Sequence, residues 1–165
     1  MTVVGFNANF REVNESRKRY VIMKGSAGSG KSQDVAQNLV IKLSDPKYKG
    51  ANLLCVRKID ESNRDSTFAQ LKKAIRTIFG NRWQEIWTER NSPLGLNCKL
   101  TGASVIFRGM KDDSQRERVK SITNENGNIT WIWVEEATEL TEEDFDILSP
   151  RSTCGEIGTH ARFRF

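Results

Sequence analysis

At 165 residues, with 37% hydrophobic and 28% charged residues, the chain is long enough for one domain with a substantial core, and its composition excludes a disordered polymer. Its net charge of +5 permits nucleic acid or an acidic surface as a partner without requiring either, because a solvated basic face produces the same excess. With a single histidine and three widely separated cysteines, none of them in a CxxC pair, we expect no zinc site built from Cys and His. No apolar run approaches the roughly 18 residues of a membrane span, so we expect an intracellular, soluble protein in a reducing compartment.

After a polar N-terminal segment, residues 1–19, the predicted elements alternate between strands and helices. The run "YVIM" (20–23) predicts a short buried strand, and the apolar spacing beyond the next loop predicts an amphipathic helix that ends at "SDP" (44–46). "NLLCV" (52–56) predicts a second strand, and an amphipathic helix follows from Ser62 to a cap at Gly80. The polar face of that helix carries three basic residues, Lys72, Lys73 and Arg76.

The second half of the chain continues the alternation. "LNCKL" and "SVIF" flank "TGA" and predict a hairpin with Gly102 in the turn, and "ITWIWV" (129–134) predicts a strand in a sheet interior. Thr141 then caps a helix with an acidic first turn. The alternation predicts an α/β fold with a mostly parallel sheet flanked by helices, whereas no pattern assigns an element to residues 149–165.

Residues 25–32, "GSAGSGKS", match the phosphate-loop pattern G-x-x-x-x-G-K-[ST] in full, between a predicted strand and a predicted helix. Glycines let the backbone wrap around phosphates, and the helix N-terminus adds partial positive charge. The alternative is a flexible turn with a solvated lysine, which leaves the strand before the loop and the helix after it unexplained. We predict that Lys31 reaches the β- and γ-phosphates and that Ser32 ligates Mg²⁺. The full set predicted to bind nucleotide is Gly25, Ser26, Ala27, Gly28, Ser29, Gly30, Lys31 and Ser32.

Two glutamates follow the apolar strand "ITWIWV" directly. We expect Glu135 to hold the Mg²⁺ shell and Glu136 to polarise the attacking water, which predicts hydrolysis rather than a switch. Two glutamates after a strand are also where a chain commonly returns to the surface, and the phosphate loop is what favours the functional interpretation. The usual first residue in this pattern is Asp, so that Glu135 is a departure.

A hydrolase of this kind needs a further cation for the transition state, and the sequence offers four candidates without choosing among them. Each is equally an ordinary surface arginine: Arg57, Arg64, Arg116 and Arg118. The segment 107–121, "FRGMKDDSQRERVKS", mixes charges and only weakly indicates contact with a phosphate backbone. Trp131 and Trp133 are predicted to lie in the core, while the other two tryptophans, Trp83 and Trp87, offer surfaces on which bases could stack.

Four segments in order resemble the ATPase domain of the large terminase subunit of tailed bacteriophages and related prophages. They are "MKGSAGSGKS", "LLCVRKIDESNRDSTFAQLKKAI", "TGASVIFRGMKDD" and "ITWIWVEEATELTEEDFDIL", and the resemblance covers most of residues 20–148. It implies an ATP-driven motor in the host cytoplasm that threads viral double-stranded DNA into a preformed capsid. It also implies a homo-oligomeric ring docked on the portal protein, and a small subunit that recognises the DNA.

For the fold, the resemblance implies a P-loop NTPase of the additional-strand, catalytic-glutamate type. It assigns the phosphate and metal contacts to Lys31 and Ser32, the metal-side acid to Glu135 and catalysis to Glu136, with ATP and Mg²⁺ as cofactors. A Glu-Glu pair is tolerated in similar terminases.

Members of that family continue into further ATPase strands and an RNase H-like nuclease, neither of which is recognisable in this sequence. We therefore expect residues 1–148 to form a C-terminally incomplete P-loop ATPase domain, residues 149–165 to be an unpatterned tail, and nuclease activity to be absent. Two alternatives stay open at this stage. One is another DNA-handling ATPase, such as a helicase-like translocase, and the other is a truncated nucleotide-binding remnant without turnover.

Overall fold

The computed structural model of the protein describes residues 5–16, 18–26, 28–122 and 128–149, together with the backbone of residues 162–164. The strands are β1 (Tyr20–Val21), β2 (Asn52–Arg57), β3 (Trp87–Asn91), β4 (Leu94–Cys98), β5 (Ser104–Gly109), β6 (Ile129–Val134) and β7 (Arg162–Arg164). They form one sheet in the order β1-β7-β6-β2-β5-β4-β3. Pairing is parallel along the order from β1 to β5, whereas β5, β4 and β3 pair antiparallel, which confirms the predicted α/β fold with a mostly parallel sheet.

The helices fill the connections between these strands. They are α1 (Arg11–Glu15), α2 (Lys31–Ser44), α3 (Ala69–Phe79), α4 (Trp83–Ile86), α5 (Asp113–Lys120) and α6 (Glu142–Leu148). A π-helical turn, Arg64–Phe68, leads into α3, and a 3-10 turn, Ala137–Glu139, precedes α6. Among the described helices, none has the length and apolar character needed to cross a bilayer.

The sheet separates two apolar clusters, because successive residues of a strand point to opposite faces. On β2, Leu53 and Cys55 pack in the cluster of α2 and α3, whereas Leu54 and Val56 pack in the cluster of α5 and α6. All four side chains are fully buried, and burial of each leucine or valine stabilises the fold by about 1.5–3 kcal/mol. The apolar face predicted for the first long helix is likewise buried along α2: Val35, Ala36, Leu39, Val40 and Leu43.

The predicted "YVIM" strand is only partly correct. The observed strand β1 covers two residues, of which Val21 is buried and Tyr20 is exposed, and the following Ile22 is 74% exposed. The reason is position, because β1 is the edge strand of the sheet and its chain turns into the glycine loop directly afterwards. The prediction of a buried strand over residues 20–23 is therefore correct for Val21 and wrong for Tyr20 and Ile22, while Met23 lies beyond the strand and is half-buried.

Helix α5 and strand β3 carry no signal that the sequence interpretation used. The mixed-charge segment noted above contains α5, whose side chains are polar except at the buried Val119, so that apolar periodicity is absent. Strand β3 places Trp87 in the core, with its indole nitrogen donating to Ser44 Oγ at 3.2 Å, which excludes the suggested role of Trp87 in base stacking. Trp131 and Trp133 are buried as predicted.

The tail, to which no element was assigned, contributes β7. Its backbone pairs parallel with both neighbours, Tyr20↔Phe163 on the β1 side and Ile132↔Phe163 on the β6 side. One additional strand thus separates the strand before the glycine loop from the strand before the two glutamates. This order confirms the additional-strand type of P-loop fold.

Gly109, at the end of β5, occupies a position without room for a side chain. A Cβ atom there would lie 2.6 Å from the backbone nitrogen of Asp60 and 2.8 Å from Asp60 Cβ, and it would also meet the side chain of Gln115. We expect Gly109→Ala to lower the free energy of unfolding by about 1–3 kcal/mol, because backbone must move. Chemical denaturation measures the change. In the control Gly95→Ala, the nearest atom is the flexible Arg90 side chain at 3.4 Å, and an equal loss in both variants would contradict the prediction.

Candidate nucleotide site

The loop between β1 and α2 has the backbone of a phosphate-binding loop. Gly28 and Gly30 have φ angles of 77° and 85°, a left-handed conformation that glycine adopts without strain. Helix α2 begins at Lys31 with Gly30 as its N-cap, which directs the free N–H groups of the first helical turn toward the loop. Ala27, the remaining predicted member of this loop, lies outside the described residues.

The ammonium group of Lys31 lies inside the loop. It donates hydrogen bonds to the carbonyl oxygens of Gly25 at 2.7 Å and Ser26 at 2.9 Å, and to Ser29 Oγ at 2.9 Å. The loop backbone therefore surrounds one positive charge. An anion that enters from the open side of the loop would meet that charge.

A hydrogen bond joins the start of α2 to the end of β6. Ser32 Oγ donates to Glu135 Oε1 at 2.6 Å across 103 residues of sequence, and the backbone N–H of Glu135 donates to the Val56 carbonyl at 3.1 Å. Hydroxyl and carboxylate oxygens are ligands for Mg²⁺, which is commonly held by one or two carboxylates together with substrate phosphates. The pair fits a nucleotide-bound Mg²⁺ ion. Below it, burial and the charge of Glu135 raise the pKa of the Cys55 thiol well above its usual value, so that Cys55 stays a neutral core residue.

Glu136 has an unusual backbone. With φ 55° and ψ 55° it is the one non-glycine residue in the described part of the chain with a positive φ, and its side chain is exposed beside the 3-10 turn Ala137–Glu139. For a residue with a Cβ atom this conformation costs on the order of 1–3 kcal/mol, and such residues are enriched at functional sites. The turn presents the Glu136 carboxylate to the same cleft as Lys31.

These residues line a cleft of about 780 Å³, within the usual size of a small-molecule site. Several lining residues were not predicted from the sequence, and two of them, Gln70 and Lys73, come from α3. The sequence signal for them is the basic polar face of α3, to which the sequence assigns no function. Lys73 adds a positive charge to the wall of the cleft formed by α3.

Two of the four arginine candidates are held by carboxylates. Arg57, at the end of β2, pairs with Glu139 at 3.3 Å. Arg116 pairs with Asp113 at 2.9 Å and with Asp144 at 2.8 Å, and only 15% of its side chain is exposed. These contacts fix both guanidinium groups within their own chain.

The other two candidates are exposed. Arg64 donates to the Asn91 carbonyl at 2.9 Å, and Arg118 lies on the surface of α5. None of the four is among the described residues that line the cleft. A finger that acts on a neighbouring subunit need not line the cleft of its own chain, so the choice among the four stays a prediction.

A buried carboxylate, Asp144, connects the elements behind the two glutamates. It accepts hydrogen bonds from Lys58 Nζ and Arg116 Nε, both at 2.8 Å, and from the Thr141 backbone at 2.9 Å. Burial raises the pKa of Asp144, but the hydrogen bonds from Lys58, Thr141 and Arg116 outweigh it and lower that pKa to about 2. Lys58 follows β2 and Arg116 lies on α5, so that Asp144 ties α6 to both and anchors the chain that leaves Glu136.

A glycine loop between a strand and a helix, faced by an acid pair at the end of a strand two places away, defines a P-loop NTPase of the additional-strand class. The family follows from the sequence itself. The profile of the phage terminase large subunit family matches residues 17–162, and the chain belongs to that family.

Two relatives are similar along nearly the whole chain. The chain is 29% identical over 157 residues to the large terminase subunit of Bacillus phage SPP1, and 30% identical over 161 residues to the PBSX phage terminase large subunit of Bacillus subtilis (strain 168). The alignments cover 94% and 97% of this chain but 35% and 34% of the relatives. The chain thus spans about a third of the length of the relatives it matches.

Solved structures of large terminases share the fold. The large terminase of a thermophilic bacteriophage, in complex with ADP, superposes with a TM-score of 0.68 at 17% identity, over 97% of this chain and 38% of that one. The HK97 bacteriophage large terminase gives a TM-score of 0.68 at 13% identity, over 92% of this chain and 30% of that one. At these identities the likeness establishes the fold alone.

Proposed function

We propose that this chain is the ATPase module of a viral DNA-packaging motor, in which ATP hydrolysis powers translocation of double-stranded DNA into a procapsid. Family membership supports packaging as the task. The observation that carries the chemistry is the Ser32–Glu135 hydrogen bond of 2.6 Å, because it sets the predicted metal ligands side by side at the mouth of the glycine loop.

Each residue then has a defined task. Lys31 holds the β- and γ-phosphates against the loop, and Ser32 with Glu135 supplies oxygen ligands to Mg²⁺. Mg²⁺, when bound with ATP, neutralises phosphate charge. Glu136 orients and deprotonates the attacking water as a general base, from a strained backbone position that the following turn holds in place. The ADP complex of the thermophilic phage terminase supports a nucleotide as the ligand of this fold.

The proposal includes the assembly in which such modules work. The partners are double-stranded DNA, the portal protein and a small terminase subunit, in the cytoplasm of the host cell. The active form is a ring, in which one of the exposed arginines, Arg64 or Arg118, supplies the missing cation to a neighbouring subunit.

Lys31→Ala tests the nucleotide grip. Loss of a charge-assisted contact to phosphate removes about 1.5–3 kcal/mol, so we expect nucleotide affinity to fall roughly 10- to 100-fold and turnover to be lost. Calorimetry with a non-hydrolysable ATP analogue measures binding, and phosphate release with and without double-stranded DNA measures turnover. Lys49→Ala, an exposed lysine before β2, is the control and should change neither quantity.

The same measurements separate the alternatives. Turnover stimulated by double-stranded DNA supports the motor. Binding without phosphate release at any protein concentration supports the nucleotide-binding remnant. Stimulation by single strands in preference to duplex favours a helicase-like translocase, and unchanged binding in Lys31→Ala contradicts the assigned site altogether.

A further inference from the structure

A second cavity, of about 620 Å³, lies along the outer face of α3 beside the nucleotide cleft. We call it the α3 groove. Four of its eight lining residues are basic, and among the described residues that line it none is acidic. The groove is lined by Arg64, Phe68, Ala69, Lys72, Lys73, Arg76, Thr77 and Asn91.

Most of the basic side chains of the groove have no carboxylate partner among the described residues. Within the described residues, Lys72 alone among them has a carboxylate partner, Glu89 at 3.0 Å. The guanidinium of Arg76 lies 5.3 Å from the centre of the Trp83 ring, and Arg64 donates to a backbone carbonyl; both contacts orient the cation without neutralising it. Lys73 is exposed and makes no ion pair in the part of the chain that the structure describes. Three full positive charges therefore face solvent along one surface.

The groove differs from the nucleotide cleft in how it presents charge. It has no glycine loop among its described lining residues, and its charged donors are long side chains rather than clustered backbone N–H groups. Lys72 and Arg76 are one helical turn apart, about 6 Å along the axis. Flexible cations at such intervals suit a ligand that repeats its negative charge, such as duplex DNA with one charge per ~1.7 Å of axis.

Base recognition is not built into this surface. The aromatic side chain in the lining, Phe68, is 3% exposed and packs edge-on against Phe107 in the core, so that it offers no face for a base to stack on. Stacking platforms are what single-strand binding proteins use, whereas phosphate contacts position a duplex without reading its sequence.

We propose that the α3 groove binds the phosphodiester backbone of double-stranded DNA without sequence preference. The inference deepens the proposed function and rests on it, because a motor must hold the duplex near its nucleotide. Lys73 lines both cavities, so α3 forms a wall of each. A bound duplex and a bound nucleotide would therefore contact the same helix.

The test is equilibrium binding of a fluorescent duplex of random sequence to the full chain, without ATP, over a series of salt concentrations. The variant is Arg64→Gln/Arg76→Gln; both residues are exposed, and neither lines the nucleotide cleft of its own chain. We expect the slope of log K against log salt to fall by about 0.9 for each cation removed, and affinity at roughly 0.1 M salt to drop about tenfold for each. Lys18→Gln/Lys49→Gln removes the same charge from exposed positions just before β1 and β2 and should keep the slope.

Three outcomes decide the proposal. Loss of slope in the groove variant alone, with recovery in Arg64→Lys/Arg76→Lys, supports it. Equal loss in both double variants means that net charge, not the groove, attracts DNA and overturns it. Stronger binding of single strands than of duplex also overturns it. Because no hydrolysis is measured, the result is independent of the Lys31→Ala experiment. DNA binding by the groove can be contradicted while the proposed ATPase activity is supported, and the reverse.

Discussion

Glu136→Gln is expected to reduce ATP turnover by about 10²- to 10⁴-fold while leaving nucleotide affinity within a factor of about three, because the amide keeps the shape of the side chain but cannot accept the proton of the attacking water. Phosphate release and calorimetry on the same preparation check the two halves of this result. Glu142→Gln, on the exposed first residue of α6, removes an equal charge nearby and should retain full turnover. Unchanged turnover in Glu136→Gln would assign the general base elsewhere.

The backbone of Glu136 adds a second signature. Glycine at φ 55° relieves the clash that a Cβ atom creates, so Glu136→Gly is expected to abolish turnover and yet raise the free energy of unfolding by up to about 1 kcal/mol. Glu136→Gln keeps the Cβ atom and should leave stability unchanged. Denaturant unfolding distinguishes the two variants. A loss of stability in Glu136→Gly would contradict the interpretation of a strained functional turn.

Asp144→Asn is expected to be among the most destabilising single changes in the domain, at about 2–3 kcal/mol. The amide has the shape of the carboxylate but no charge, and it leaves the largely buried Lys58 ammonium without a counter-charge. Against a total stability of about 5–15 kcal/mol such a loss is large. Urea denaturation at neutral pH measures it, with Asp146→Asn, an exposed residue on the same helix, as the control expected to change by less than about 0.5 kcal/mol.

The contribution of Asp144 to stability has a defined pH dependence, which the variant Asp144→Asn should lack. The pKa of Asp144 is about 2 in the folded chain and 3.8 without its partners, so its stabilisation is present above that higher value and lost as the pH falls toward the lower one. The difference corresponds to about 2 kcal/mol. Denaturation at neutral pH and at points between the two pKa values should show this part of the acid loss in the unmodified chain and not in Asp144→Asn. An identical acid dependence in both would contradict the assignment.

Elements with a local cause were predictable. The apolar spacing of α2, the Gly102 hairpin and the Thr141 cap are each set by a few neighbouring residues, and each is present as predicted. Elements that depend on distant partners were not. Helix α5 has a single buried apolar side chain, and β7 exists because it pairs on both sides, with β1 and β6.

The residues of the candidate site likewise divide into those that the sequence predicts and those that it does not. The glycine pattern 25–32 and the acid pair after β6 were readable from sequence, and the structure brings Ser32 and Glu135 into contact. Their roles in binding and hydrolysis stay predictions that the variants above test. Lys73, Gln70 and the groove on α3 could not be predicted as a site, because the basic face of α3 is visible in the sequence but the neighbouring loop toward which it turns is not.

The sequence by itself thus determined the glycine loop, the acid pair after β6 and the family to which the chain belongs, since the first two are carried by residue types at short, fixed spacing and the family by segments along most of the chain. Only the tertiary structure decided which arginine side chains form ion pairs within the chain. Arg57 and Arg116 have the same side chain as Arg64 and Arg76, yet carboxylates of their own chain hold the first two, while the last two stay exposed. The physical reason is that an ion pair depends on separation in space, which the packing of α3, α5 and α6 on the sheet sets.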